Sequence, residues 1–190
     1  MEQNKPSPSK VDAAAELARA GATNIAANAP ITATGVTSAA AEGEIRQLLE
    51  EFADSVRSGK IEDIMSFYDS SLVAFDVAPP LRFTSANDYR KNWETMFTTA
   101  MKFPVTYEFS EERIMTSNDL GIMHCLIHTA GTMLTPMEDG KSEIDCWGRY
   151  TCCLKKTGNR WRIVHEHFSV PVGEDGKALM DLKPGAQATH

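Results

Sequence analysis

The feature that most constrains the fold is a pair of strand-like segments near the end of the chain. Residues 145–156 and 161–171 are both rich in β-branched and aromatic residues, and Thr157-Gly158-Asn159 separates them. Two such runs around a short turn that contains glycine predict a β-hairpin. A sheet that includes this hairpin must bury at least one of its faces, which limits the folds open to the chain.

Alternation along the second segment predicts which of its side chains share a face. One face is expected to carry Trp161, Ile163, His165 and His167. The other face is expected to carry Arg162, Val164, Glu166 and Phe168. Apolar groups occur on both faces, so neither face is expected to be fully solvated. One would pack against helices and the other against a partner subunit.

Composition excludes several kinds of partner. The 190 residues are 42% hydrophobic and 24% charged, which fits one globular domain plus a tail. The formal net charge is -7, and no cluster of Lys or Arg stands out. Nucleic acids and anionic membrane surfaces are bound by such clusters, so we expect neither partner.

The chain also lacks the sequence features of export. No apolar run approaches the roughly 18 residues of a membrane span, and the N-terminus lacks the apolar stretch of a secretory signal. The cysteines Cys125, Cys146, Cys152 and Cys153 lie within predicted strands and have no C-x-x-C spacing. We interpret them as small buried hydrophobic residues in a reducing compartment, which predicts a cytoplasmic location.

Composition divides the chain into three parts. Residues 1–42 hold almost no large apolar residue, which predicts a mobile Ala/Thr-rich tail; an arm packed on a partner subunit is the alternative. Residues 43–173 carry the apolar periodicity of a folded domain. Residues 174–190 are expected to form a polar C-terminal tail.

Within the domain, helices precede the sheet. Residues 44–58 and 61–68 carry apolar stripes at helical spacing, and Ser85 is the expected N-cap of a third helix. A turn at 69–71 precedes a short strand at 72–75. Longer strands are predicted at 105–115, 120–134, 143–156 and 160–170. This order defines an α+β domain.

Three stretches of the chain resemble a known superfamily. They are S-G-K-I-E-D-I-M-S-F-Y-D, L-V-A-F-D and the closing G-N-R-W-R-I-V-H-E-H-F-S-V-P. They are similar to the nuclear-transport-factor-2-like superfamily, specifically to its SnoaL-like and ketosteroid-isomerase-like members. The last stretch resembles the end of the calcium/calmodulin-dependent kinase II association domain. The resemblance implies a cone-shaped fold in which a curved antiparallel sheet wraps around helices, with a central pocket and pairing through the sheet.

The resemblance selects Asp76 as the leading catalytic candidate. This residue ends the first strand, where ketosteroid isomerases place the carboxylate that moves a proton next to a carbonyl. Those enzymes also use a Tyr and a protonated Asp as an oxyanion hole. The Tyr would fall at Phe52, which has no donor, and Asp145 lies near the position of the second Asp. The alternative is that Asp76 caps local backbone N–H groups.

Other side chains could line or complete such a pocket. Tyr68, Tyr89 and Trp93 lie on helix faces expected to point inward, where they serve as core or as pocket lining. Arg149 is expected to pair with Asp145 or Glu143, or to recognise a carboxylate on a ligand.

The histidines allow several interpretations. His165 and His167, like His124 and His128, are spaced two or four residues apart within predicted strands. Pairs of this kind can ligate Zn²⁺, but we interpret them as hydrogen-bonded residues at a sheet surface or subunit interface. We therefore predict no metal and no cofactor. His167 is also a candidate acid or base, and His128 a candidate ligand contact.

Two functional hypotheses follow from the resemblance. The first is a pocket protein for a small hydrophobic or carbonyl-containing molecule, with Asp76 as the base and Tyr68, His167 or Arg149 orienting the substrate. The second is a non-catalytic domain that binds a ligand or assembles into a dimer or larger ring, like the kinase association domain. Because this fold serves many activities, only the geometry of the pocket can separate the two.

Overall fold

The computed structural model describes residues 38–136 and 140–185. Most of the predicted N-terminal tail, residues 1–37, lies outside the described residues. The first helix, α1, spans Ala39–Arg57 and so begins five residues before its predicted start. Ser38 is its N-cap, and the Ser38 side chain accepts a hydrogen bond from the Ala41 N–H. The Ala-rich stretch after the cap has high helix propensity, which accounts for the earlier start.

Two further α-helices follow, and a short π-helix continues the second of them. Helix α2 spans Ile61–Ser66 and α3 spans Ala86–Thr95. The predicted helix at 61–68 is thus two residues too long, and Tyr68 lies at the start of the first strand and not on a helix face. The backbone then continues as a π-helical segment, Met96–Ala100. Ser85 caps α3 as predicted, because its hydroxyl accepts from the Asp88 N–H at 3.1 Å. None of the helices among the described residues is long and apolar enough to cross a membrane.

Five strands form one sheet in the order β1-β5-β4-β3-β2. They span Tyr68–Phe75 (β1), Thr106–Ser117 (β2), Leu120–Thr132 (β3), Glu143–Thr157 (β4) and Arg160–Ser169 (β5). The pairs β2–β3, β3–β4 and β4–β5 are antiparallel, whereas β1 runs parallel to β5. The predicted α+β class is confirmed, and the sheet is mixed at this edge.

The predicted turn at residues 69–71 is wrong, because these residues belong to β1. The Asp69 carboxylate accepts hydrogen bonds from the Ser71 N–H and hydroxyl. Such local pairing is typical of turns, and here it accompanies an irregular register between Tyr68 and Val73. The polar residues therefore mark a distortion of the strand and do not end it.

A β-bulge in β5 changes which side chains point inward. Ile163 pairs with Leu154 while His165 pairs with Cys153, so Val164 is an extra residue on this strand. Strict alternation therefore holds only to Ile163. Beyond the bulge Glu166 is buried and His167 is exposed, so the prediction that His167 shares a face with Trp161 is wrong.

Helices α1 and α3 cover the inner face of the sheet around one aromatic ring. Phe52 of α1 is fully buried, and its ring makes edge contacts with four other rings at centroid distances of 5.8–6.3 Å. These rings belong to Phe67, Tyr68, Trp93 and Tyr107. Burying a Phe side chain stabilises a fold by about 1.5–3 kcal/mol, so this cluster anchors α1 on the sheet.

Gly148 is the point in β4 at which a larger side chain would disrupt the inner face. A Cβ at this position would collide with the ring of Phe168. We expect Gly148→Ala to lower the free energy of unfolding by about 1–3 kcal/mol, measured by urea denaturation.

Gly43→Ala is the matched control. Gly43 lies inside α1, and a Cβ there meets nothing within 4 Å. This change should raise the free energy of unfolding by about 0.5–1 kcal/mol, because Ala is a better helix former than Gly. Equal effects of the two substitutions would contradict the packing described for Phe168.

Candidate functional site

A cavity of about 230 Å³ lies between the α3 side of the domain and the inner face of the sheet. Most of its lining is apolar and includes Trp93, Met96, Phe97, Phe103, Ile144 and Phe168. Met180, from the segment after β5, also contributes to the wall, and its carbonyl accepts from the Trp147 N–H at 2.8 Å. A mostly apolar cavity with a few polar groups is the usual form of a small-molecule site.

Asp76 lines this cavity, directly after the last residue of β1. Its Oδ2 accepts hydrogen bonds from the Tyr89 hydroxyl at 2.9 Å and from the Asn92 amide at 3.2 Å. Its Oδ1 accepts from the Ala78 N–H at 3.4 Å. One oxygen of Asp76 therefore caps local backbone, as the alternative interpretation predicts, and the other is held by side chains of α3 at the cavity wall.

The second carboxyl of the cavity belongs to Glu166, which is 2% exposed. Its Oε2 accepts from the Tyr150 hydroxyl at 2.8 Å and from the Tyr68 hydroxyl at 3.0 Å. Burial raises the pKa of Glu166 from 4.5 to about 7, against the opposing hydrogen bonds of the tyrosines. The negative charge of Asp76 adds to the rise. Glu166 can therefore hold or release a proton near neutral pH.

The tyrosines of this cluster keep their protons. Burial raises the pKa of Tyr68, Tyr89 and Tyr150 well above 10, and the charge of Glu166 raises each further. At neutral pH all three are therefore O–H donors. Tyr68 donates to Glu166, not to Asp76, and it does not contribute to the cavity wall.

Tyr89 connects the two carboxyl groups. Its hydroxyl donates to Asp76, and it also lies close enough to Glu166 to lower the pKa of that carboxyl. The wall thus carries three proton-carrying side chains close to one another, Asp76, Tyr89 and Glu166. Such an arrangement can supply both a base and an acid to one bound molecule.

Trp93 brings a further polar atom to the cavity. Its side chain is 6% exposed and lines the wall, and its indole N–H has no acceptor of normal geometry among the described residues. The ring nevertheless lies near enough to Tyr68 to lower the pKa of that hydroxyl slightly. One residue of the cavity wall, Trp93, thus has a buried donor without an acceptor of normal geometry among the described residues.

Three predicted ligand contacts lie on the opposite face of the sheet. His128 bonds to Asp145 through Nε2 at 2.7 Å and stacks on Trp147 with ring centroids 4.6 Å apart. Arg149 is exposed and donates to the Val170 carbonyl at 3.0 Å, so the expected pairing with Asp145 or Glu143 is replaced by a backbone contact. None of these side chains lines the cavity.

His165 and His167 also lie away from the cavity. His167 is exposed and contacts the ring of Phe75 at 5.8 Å, and His165 bonds to the Val73 carbonyl at 2.8 Å. Among the described residues no group of three or more His, Cys, Asp or Glu is arranged to hold a metal ion.

The chain matches one known protein family over most of its folded domain. The family model of the SnoaL-like domain matches residues 45–173, which is more than half of the chain. The chain belongs to the SnoaL-like domain family. No protein with a curated description matches it.

Solved structures with the same fold extend this result. The SnoaL-like domain is 33% identical to an NTF2-like protein of unknown function from Pseudomonas putida KT2440, with a TM-score of 0.66. The match covers 78% of this chain and 99% of that one.

Two more distant structures share only the fold. One is a putative scytalone dehydratase from Novosphingobium aromaticivorans, 12% identical with a TM-score of 0.60, covering 68% of this chain and 83% of that one. The other is the association domain of CaMKII from C. elegans, 16% identical with a TM-score of 0.55, covering 69% and 96%.

Sequence reasoning missed Glu166 as a site residue because alternation was applied without the bulge. The sequence feature that could have indicated a buried carboxyl group is the position of Glu166 between His165 and His167, in a segment that also contains several apolar residues. A carboxylate in such a strand must find partners, and four tyrosines were present in the chain to supply them.

The raised pKa of Glu166 makes the stability of the SnoaL-like domain depend on pH. Because the folded state holds the proton more tightly than the unfolded state, this contribution is complete below pH 4.5 and is lost as the pH rises through 7. In urea denaturation from pH 4 to 8, the wild type should lose on the order of 3 kcal/mol relative to Glu166→Gln.

Glu174→Gln is the matched control, because Glu174 is exposed. The difference between the wild type and this variant should stay constant across the same pH range. Parallel curves for Glu166→Gln and Glu174→Gln would show that Glu166 titrates normally.

Proposed function

We propose that this SnoaL-like domain binds a small carbonyl-containing molecule in its cavity and moves a proton next to the carbonyl group. The observation that carries the proposal is the placement of Asp76 and Glu166 on one cavity wall, with Tyr89 bonded to Asp76 and close to Glu166. Two carboxyl groups in different environments, one of them with a raised pKa, are the usual components of acid–base catalysis.

The surroundings of Asp76 and Glu166 support a different catalytic role for each carboxyl group. Asp76 lines the cavity and is held in place by three hydrogen bonds, so we assign Asp76 as the base that removes the proton from carbon. The negative charge that develops on the carbonyl oxygen is stabilised by an O–H donor, which protonated Glu166 supplies. Tyr68 acts by positioning Glu166. His167 is exposed on the other face and has no part in this mechanism.

The donors differ from those of a ketosteroid isomerase. Phe52 occupies the position at which the resemblance places the donor Tyr, and it packs in the core. The tyrosines around Glu166 supply hydroxyl groups from other elements. A cavity of about 230 Å³ is smaller than the 300–1,000 Å³ typical of ligand pockets, which favours a compact substrate.

The proposed chemistry covers both isomerisation and loss of water, since each begins with removal of a proton next to a carbonyl. Putative dehydratases from Novosphingobium aromaticivorans and Streptomyces avermitilis share this fold. This fold-level likeness supports acid–base chemistry as a class.

Asp76→Asn tests the assignment of the base. In D₂O the wild-type protein should catalyse exchange of the α-protons of cyclohexanone or acetophenone, followed by ¹H NMR. The variant should lose at least about 100-fold in exchange rate, because Asn cannot accept the proton.

Asp119→Asn, an exposed residue between β2 and β3, is the matched control and should exchange at the wild-type rate. Wild-type exchange no faster than the buffer, or full exchange by Asp76→Asn, would refute the proposed function for these probes.

A second candidate function is assembly, because the outer face of the sheet carries a band across all five strands. The band consists of Val73, His165, Cys153, Ile122 and Met115, which occupy successive paired positions. Ile122 is 41% exposed and Met115 is 52% exposed. Exposed apolar groups in register on a sheet face fit a second copy of the chain, and the fold shared with kinase association domains agrees with this.

Ile122→Glu tests assembly through this band. If the chain pairs through its outer face, the buried charge should convert the oligomer to a monomer in sedimentation analysis, with an unchanged circular dichroism spectrum. Leu81→Glu is the control, since Leu81 is 94% exposed and lies off the sheet. An Ile122→Glu protein of unchanged mass would exclude this interface.

A further inference from the structure

The ionisable groups of the cavity all carry one sign of charge. Among the described residues that line it, Asp76 and Glu166 are the acidic side chains, and none is Lys, Arg or His. The remaining wall is apolar or aromatic with hydroxyl groups from Thr and Tyr. An anion inside this cavity would meet negative charge and would lose its hydration without a cation to replace it.

Several donors around the two carboxyl groups are already committed to them. The hydroxyls of Tyr68 and Tyr150 both donate to Glu166. The Tyr89 hydroxyl and the Asn92 amide donate to Asp76. An anionic ligand would have to take these donors from carboxyl groups that need them.

Two arginines that follow or precede a lining residue in the sequence, Arg57 and Arg149, are also committed. Arg57 donates to the Tyr107 carbonyl at 2.7 Å and pairs with Glu50 and Asp54. Arg149 lies on the outer face and donates to the Val170 carbonyl. Neither guanidinium contributes to the lining.

One lining residue, Trp93, has a buried hydrogen-bond donor without an acceptor of normal geometry in the described part of the chain. The indole N–H of Trp93 faces no acceptor of normal geometry among the described residues, although the side chain is more than nine-tenths buried and lines the cavity. A neutral oxygen on a ligand would satisfy this donor at no cost in charge.

We infer that the cavity selects an uncharged ligand, a compact apolar molecule whose buried end bears a neutral oxygen such as a ketone, alcohol or phenol, and rejects carboxylates and phosphates of the same size. This inference rests on the proposed function, which gives the location of the site. It adds that the substrate is uncharged. The discrimination arises from the penalty on the wrong ligand, because the wall offers an anion no counter-charge.

Three ligands that share one ring and differ in charge test this inference. Acetophenone, benzoate and benzylamine are titrated at pH 8 against the full chain, followed by the indole ¹H–¹⁵N resonance of Trp93, which is assigned with Trp93→Phe. Acetophenone should bind at least about 100-fold more tightly than benzoate, a ratio that corresponds to about 2.7 kcal/mol.

The variants identify the source of the discrimination. Asp76→Asn should improve benzoate binding by about 10-fold or more and leave acetophenone within about twofold, because only the anion is repelled by the carboxylate. The matched control Asp119→Asn should reproduce the wild-type series. Unaltered circular dichroism spectra verify that each variant is folded.

Every outcome of the titration decides the inference. Benzoate binding within threefold of acetophenone would overturn it, and so would binding of none of the three ligands at millimolar concentration. Tightest binding by benzylamine would overturn the uncharged class and identify a cation site. Selective binding of acetophenone without proton exchange would uphold the inference while the proposed catalysis fails, so the two can be told apart.

Discussion

The structure depends on one buried carboxyl group and the hydroxyls that solvate it. Glu166 comes from β5, while its partners Tyr68 and Tyr150 come from β1 and β4. A carboxyl at this depth would be strongly destabilising without donors. Because the donors come from both neighbouring strands, the same hydrogen bonds that satisfy Glu166 also hold the parallel edge strand β1 in place.

The bulge at Val164 makes this arrangement compatible with the rest of β5. Before the bulge Trp161 and Ile163 pack in the core, and after it Glu166 and Phe168 face the cavity. An unbroken strand would direct Glu166 to the outer face and His167 inward. One extra residue thus converts the end of a core strand into the wall of a site, a common use of bulges next to binding sites.

The sheet consequently has two faces with separate properties. The inner face holds the cavity, with Asp76 and Glu166 in an otherwise uncharged wall. The outer face holds His128, His165 and His167, together with Arg149 and the apolar band around Ile122. The proposed catalysis and the proposed assembly therefore involve different side chains, so neither proposal excludes the other.

The sequence by itself determined the types of the elements, because they follow from local patterns. The stripe of α1, the N-cap Ser85 and the hairpin around Gly158 could all be read from neighbouring residues. The position of Asp76 at the end of a strand was also predictable, with the help of a family resemblance. Each of these features depends on interactions within a few residues of the chain.

Only the tertiary structure decided which side chains meet. The bulge follows from the pairing of β5 with β4, and no pattern within β5 marks it. Tyr68 and Glu166 are 98 residues apart, yet their side chains are 3.0 Å apart at the hydrogen bond. Glu166 acquires its raised pKa from burial among such distant groups. The chemistry of the site is therefore a property of long-range packing, which local periodicity does not encode.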